Sequence, residues 1–256
     1  MGESPRRRAA EVASLKLGLD LGMRLVDTAE MYGDGGAEQI VGEAIAGRRS
    51  EVFVVSKVLP QNAGAKSAIA ACDRSLRRLR TDHLDLYLLH WHGRVALAET
   101  VGAFERLRRD GKILRWGVSN FDVADLKALL ALPEGRHCAT NQLLYHLKER
   151  GIEWELLQLM RAHAMPVMAY SPLGGGNLLR NTRLASLARS SGLTPAQIAV
   201  GWLLRHPDAI VIPKASNPEH IRELRSAVLV EFDDATLAAL DAAFPPPSHP
   251  TPLAVI

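Results

Sequence analysis

A parallel β/α barrel of the TIM type is the fold class this sequence predicts, and three observations predict it. Short runs rich in Val, Ile, Leu and Tyr alternate with longer segments of helical period, the pattern of βα units around a parallel sheet. The chain has 256 residues, near the roughly 250 that such a barrel uses as one unit. No composition shift and no Pro/Ser/Gly-rich linker divides it, so a single domain over 1–256 is expected.

The chain opens on a segment of helical period, 7–21. Strand-like runs then stand at 24–29, 52–58, 84–91, 114–119, 139–143, 166–171 and 209–214. Helices are expected between them at 37–46, 66–79, 96–109, 123–130, 153–163 and 195–205. Two of these have readable starts: Asp122 can cap the helix after Phe121, and Thr194 followed by Pro195 supplies an N-cap with proline at the first helical position. Segment 233–244 reads as an added helix. The tail 245–256 begins Pro245-Pro246-Pro247, and prolines lack the N–H groups a helix needs, so an extended path is expected. A closed (β/α)8 barrel has eight strands and seven are readable, so the expectation is a barrel lacking its first strand. Its open edges would be the strands at 24–29 and 209–214, and a monomer or a weak self-association through that gap is the expected state.

Composition excludes several classes of function. The net charge of +3 is spread among acids, as in Glu105-Arg106-Leu107-Arg108-Arg109-Asp110, which argues against a nucleic-acid partner. Cys72 and Cys138 are too few and too far apart in sequence for a disulfide framework or a CxxC metal site. A reducing cytoplasm is the expected location. No apolar stretch reaches the roughly 18 residues of a membrane span, and the basic start Arg6-Arg7-Arg8 leads into an amphipathic pattern, so no membrane partner is expected.

In a β/α barrel, side chains just beyond the strand C-termini converge on one face, and polar residues there read as functional. That filter selects Asp27, Tyr32 five residues later, Lys57 and His90. Each has a plain structural reading. Asp27 can cap a turn, Tyr32 can pack on a rim, Lys57 can belong to a buried ion pair, and His90 can be a satisfied core histidine. Together they make a coherent chemistry. A free phenol, with a pKa near 10, is a poor acid at neutral pH unless a nearby cation stabilises the phenolate. Lys57 supplies that charge, Asp27 holds and aims Lys57, and His90 hydrogen-bonds the substrate oxygen or the phenol. Hydride attack on a carbonyl builds negative charge on oxygen, so one proton donor in a polar pocket suffices. No metal-ligand spacing such as HExxH is present, and no metal is expected.

The strings Asp27-Thr28-Ala29-Glu30-Met31-Tyr32-Gly33, Ser56-Lys57, Leu88-Leu89-His90-Trp91 and Gly117-Val118-Ser119-Asn120-Phe121 together resemble the aldo-keto reductases. Their order continues through Asn141-Gln142 with Tyr145-His146, Ala169-Tyr170-Ser171-Pro172-Leu173-Gly174 and Ile212-Pro213-Lys214, so the resemblance runs from about Arg7 to Phe244. It lies nearest prokaryotic members that act on small aldehydes and ketoaldehydes. The resemblance implies that Asp27, Tyr32, Lys57 and His90 are a catalytic tetrad and that the cofactor is NADPH, bound extended without a Rossmann domain. It implies Ser119, Asn120 and Gln142 on the nicotinamide carboxamide and Tyr170 stacked on the ring. Ser171, Leu173 and Gly174 would line the pyrophosphate, where glycine lets backbone approach an anion. Lys214, Ser216, Asn217 and His220 correspond to the adenosine-phosphate end, with Lys214 the partner of the 2'-phosphate. Trp91, with His92 near it, would shape the substrate mouth.

Two departures from the family pattern stand out. His220 occupies a position where many relatives carry arginine, and Leu224 one where they carry asparagine, so the sequence leaves NADH use open. The unread first strand is the other. Two other functions stay open at this level: a nicotinamide-binding regulatory or inactive member of the family, and a Schiff-base lyase that uses Lys57 as an amine nucleophile.

Overall fold

All seven strands expected from the sequence form within two residues of their expected ends in the computed structural model, which describes residues 1–256. The chain divides into two compact units, Met1–Asn141 and Gln142–Ile256.

In the first unit the order is α1 (Arg8–Asp20), β1 (Leu25–Asp27), α2 (Gly36–Ala44), β2 (Phe53–Val58), α3 (Ser67–Leu79), β3 (Leu84–Leu89), α4 (Leu97–Arg109), β4 (Ile113–Ser119) and α5 (Val123–Leu130). The strands pair in parallel, β1 with β2, β2 with β3 and β3 with β4. Almost every residue of β2 and β3 is buried, as in a parallel sheet covered on both faces, which suits runs dominated by Val and Leu on both faces of the strand. Asp122 caps α5 as expected, its carboxylate accepting from the Asp125 N–H at 2.8 Å.

Register decides where the polar residues emerge. Asp27 is opposite Val55, two residues before Lys57, and Lys57 is opposite Leu88, two residues before His90. Leu88 is opposite Gly117, two residues before Ser119. Residues two apart share a face of a strand, so Asp27, Lys57, His90 and Ser119 all leave the strand ends on the same face. Gly117 is required there: a Cβ would stand 2.6 Å from the Thr140 carbonyl oxygen.

Strand β5 (Cys138–Leu144) carries the division between the units. The second unit continues with α6 (Leu156–Ala162), β6 (Val167–Tyr170), α7 (Thr182–Ser190), α8 (Pro195–Leu204), β7 (Ala209–Ile212), α9 (Pro218–Ser226) and α10 (Asp234–Ala243). Strands β6 and β7 pair in parallel from Val167 opposite Ala209 to Tyr170 opposite Ile212. The sheet order follows the chain, so β1 and β7 are its terminal strands, and β7 is only half-buried along its length. Thr194 opens α8 with a full capping box, exchanging hydrogen bonds of 2.9 and 3.2 Å with Gln197. The added helix 233–244 is α10, and residues 245–256 contain no helix or strand.

Candidate active site

Lys57 is the fully buried centre of the first unit's polar cluster. Its Nζ donates to Asp27 Oδ2 at 2.6 Å and to the Thr28 carbonyl at 2.9 Å. An ammonium has three donors, so one remains for a further acceptor. Nζ also stands 5.0 Å from the centroid of the Tyr32 ring, within the range of a cation–π contact. The contact with a carboxylate suits an ammonium, whereas imine formation requires a neutral amine. Tyr32 sits on the turn between β1 and α2, half-buried, with its N–H on the Ala29 carbonyl at 3.2 Å and its carbonyl accepting from Ala37 at 3.1 Å. Its ring meets that of His90 edge to face, centroids 5.7 Å apart at 82°. The structure therefore brings together all four residues selected from the sequence.

His90 is buried, and its N–H donates to the Val58 carbonyl at 3.0 Å. Burial, and after it the positive charge of Lys57, push the imidazole down to a pKa of about 3. The ring is therefore neutral throughout the physiological range, and its buried Nδ1 has no hydrogen-bond partner. A histidine held below its unfolded value binds fewer protons in the native state, so its contribution to stability is complete above the unfolded pKa and is lost as pH falls from about 6.5 toward 3. The limiting slope for one such group is about 1.4 kcal/mol per pH unit. Urea unfolding of wild type and His90→Gln at several pH values should show the wild type losing more stability on acidification, and parallel losses would contradict a buried neutral imidazole.

Asn120 carries the next strand end into the same region. Its backbone is left-handed, φ 59°, and its Nδ2 donates to the His90 carbonyl and to Ser119 Oγ, both at 3.1 Å. Ser119 is buried. Trp91 follows His90 and is 37% exposed, with its ring 4.9 Å from the imidazole. His92 turns away to Asp125, Nδ1 to Oδ1 2.6 Å.

In the second unit, Gln142 is buried and its Nε2 donates to Met168 Sδ at 2.8 Å. Tyr170 ends β6 half-buried, and Ser171 after it is left-handed, φ 49°. The turn Gly174–Gly176 has φ of 56°, 60° and 88°, a run that L side chains resist and that leaves the backbone bare for close approach by a ligand. Leu173 packs on the cluster Val200, Leu224 and Ala227, as does Ala215, so the 171–176 and 214–220 stretches meet through one apolar patch. Leu224 is buried in that patch. Lys214, Ser216, Asn217 and His220 are exposed. Asn217 also caps α9, its carbonyl oxygen accepting from Glu219 at 2.8 Å while its NH2 stays available. Lys214, an exposed cation beside a helix start, and the bare glycine turn have the chemistry that a dinucleotide's phosphates require.

Sequence reasoning did not select Asn141 as a site residue. It is fully buried, and its side chain spans the Phe121 backbone, donating to the carbonyl at 2.8 Å and accepting from the N–H at 3.4 Å. The available signal was the polar run Thr140-Asn141-Gln142 inside a strand-like segment. Nor did it select the Thr28 carbonyl, a backbone group that no side-chain pattern reveals.

A model described as the aldo/keto reductase family matches residues 2–244. The chain is 51% identical to methylglyoxal reductase YeaE of Escherichia coli, over all of this chain and 92% of that protein. It is 35% identical to glyoxal reductase of Bacillus subtilis, over 90% of this chain and 82% of that protein. Among solved structures, an aldo/keto reductase from Klebsiella pneumoniae in complex with NADP and acetate has a TM-score of 0.98 and 47% identity, covering all of this chain and 92% of the other. A second, an aldo-keto reductase from the same organism in complex with NADPH, gives 0.98 and 48%, with the same coverage. The expected barrel fold of seven readable strands is therefore the fold this chain has.

Proposed function

The chain belongs to the aldo/keto reductase family and is an NADPH-dependent carbonyl reductase, and from that premise we propose that it reduces small 2-oxoaldehydes, methylglyoxal and glyoxal foremost, with Tyr32 as the proton donor. The observation that carries the proton-donor role is the Asp27–Lys57–Tyr32 cluster, in which the ammonium makes a 2.6 Å contact with the carboxylate and stands 5.0 Å from the centroid of the phenol ring.

Bound NADPH supplies the hydride. Ser119, Asn120 and Gln142 would hold its carboxamide and Tyr170 its nicotinamide ring. Ser171, Leu173 and Gly174 would receive the pyrophosphate, and Lys214, Ser216, Asn217 and His220 the adenosine end. The chain's own residues manage the charge. As the carbonyl carbon gains its new bond, the π electrons move to oxygen, and Tyr32 gives that oxygen its proton. The Lys57 cation stabilises the phenolate left behind, and Asp27 keeps Lys57 aimed. His90, neutral by burial, directs one N–H at the substrate oxygen. Trp91 borders the mouth, where an apolar wall suits a compact substrate. All four catalytic groups come from one unit of one chain, so one chain is the working unit. Both cysteines are buried and free, in keeping with a reducing cytoplasm.

The test is NADPH oxidation by the purified chain with methylglyoxal, glyoxal, simple aldehydes and simple ketones. Methylglyoxal is expected to give the highest kcat/KM. Equal rates with acetone would remove the 2-oxoaldehyde preference, and NADPH binding without any carbonyl-dependent turnover would favour a cofactor-binding regulatory protein instead.

A further inference from the structure

The turn that carries Tyr32 is fastened to the turn after Lys57 by a buried carboxylate. Glu30 is 8% exposed, and its Oε1 accepts two hydrogen bonds, from the Leu59 N–H at 2.8 Å and from Asn62 Nδ2 at 2.9 Å. Its Oε2 stands 3.7 Å from Arg74 on α3. Its backbone N–H donates to the Lys57 carbonyl at 3.2 Å, while Lys57 Nζ donates back to the Thr28 carbonyl at 2.9 Å. Residues 28–30 therefore hold Lys57 at its backbone and at its ammonium, and the Glu30 side chain extends the grip past the strand end. The far side of the grip is closely packed. Asn62 closes the turn Pro60–Asn62, its N–H on the Leu59 carbonyl at 2.9 Å. Pro60 is packed so closely under the loop after His90 that a Cβ on Gly93 would come within 2.4 Å of it.

We propose that Glu30 is a positioning residue for the Tyr32–Lys57 pair, fixing the phenol against the ammonium by tying together the loops on which they stand. The proposal rests on the catalytic roles given above. A carboxylate is suited to the task because one oxygen can accept both bonds, and hydrogen bonds to an ionised acceptor are stronger than neutral ones. The effect on catalysis follows from geometry. Tyr32 is two residues from Glu30, and a displacement of about 1 Å between reacting groups can lower a rate by about 10²-fold.

The proposal separates from a merely structural role through substitutions followed both by turnover and by a measurement that needs none. Glu30→Ala should lower kcat by about tenfold or more, with NADPH affinity by calorimetry unchanged. Glu30→Gln keeps a carbonyl oxygen for Leu59 and Asn62, and should restore most of the rate. In a Tyr32→Phe background, Glu30→Ala should have no further effect on kcat. The second readout needs no turnover: ultraviolet titration of the phenol, isolated as the difference between each protein and its Tyr32→Phe counterpart, should move to higher pH in Glu30→Ala. A folded Glu30→Ala with wild-type kcat and wild-type phenol titration would overturn the proposal, as would an equal loss in the Tyr32→Phe background. Should Glu30→Ala fail to unfold cooperatively, Asn62→Ala, which removes one donor from the other side of the grip, is judged by the same measurements. An absence of carbonyl reduction by the wild type would sink the functional reading, while the titration would still decide the role of Glu30.

Discussion

Tyr32→Phe is expected to lower kcat for methylglyoxal by about 10²–10⁴-fold, the range of general acid catalysis, while NADPH binds as before. The substitution deletes one hydroxyl and keeps the ring, which is half-buried against His90 at 5.7 Å. The edge-to-face packing therefore survives, and the turn that carries the residue keeps its backbone bonds. What is lost is the proton for the forming alkoxide, an interaction made only as the reaction proceeds, so kcat and kcat/KM should fall together. Single-turnover kinetics with premixed NADPH would separate this from slow product release. A loss smaller than about tenfold would mean the proton arrives from elsewhere, and the chemistry proposed for this site would fail with it.

Lys57→Met should reduce kcat comparably and destabilise the fold as well. Lys57 is fully buried, with Asp27 as its salt-bridge partner at 2.6 Å. Removing one member of a buried ion pair costs about 3–5 kcal/mol, because the other charge is left without compensation, whereas replacing both is often close to neutral. The double variant Asp27→Asn/Lys57→Met should therefore regain much of the stability lost in Lys57→Met and none of the rate. Urea midpoints of the two single variants and the double variant give the first comparison, and steady-state kinetics give the second. If the double variant recovered activity, the ammonium would be dispensable to the phenol. If Lys57→Met were as stable as wild type, the pair would be solvated and its desolvation unimportant.

Much of the fold was legible because strands and helices here obey their own periods. All seven strands and the helices α1 to α6, α8 and α10 follow from alternating apolar runs and helical stripes. Helices α7 and α9 escaped that reading. Burial does not account for the miss, since each buries two residues, Leu184 and Ala188 in one and Ile221 and Leu224 in the other, as the legible α5 does. Their caps, Asn181 and Asn217, were the better signal. At the site, the four principal side chains were legible because each stands at or just beyond a strand end, where the fold class alone says they converge. The Glu30 grip was not. Its partners lie 29 and 32 residues away, and only the parallel register of β1 with β2 brings them together.

The left-handed turn at Asn120 limits how descendants of this sequence can vary. At φ 59°, most side chains pay about 1–2 kcal/mol in steric strain that asparagine and glycine largely escape. Glycine would accept the turn and drop the two amide bonds, and aspartate would turn oxygens toward the His90 carbonyl, where only a donor is welcome. The tolerated alphabet at position 120 is thus narrow, because a replacement has both to adopt the left-handed turn and to donate to the His90 carbonyl.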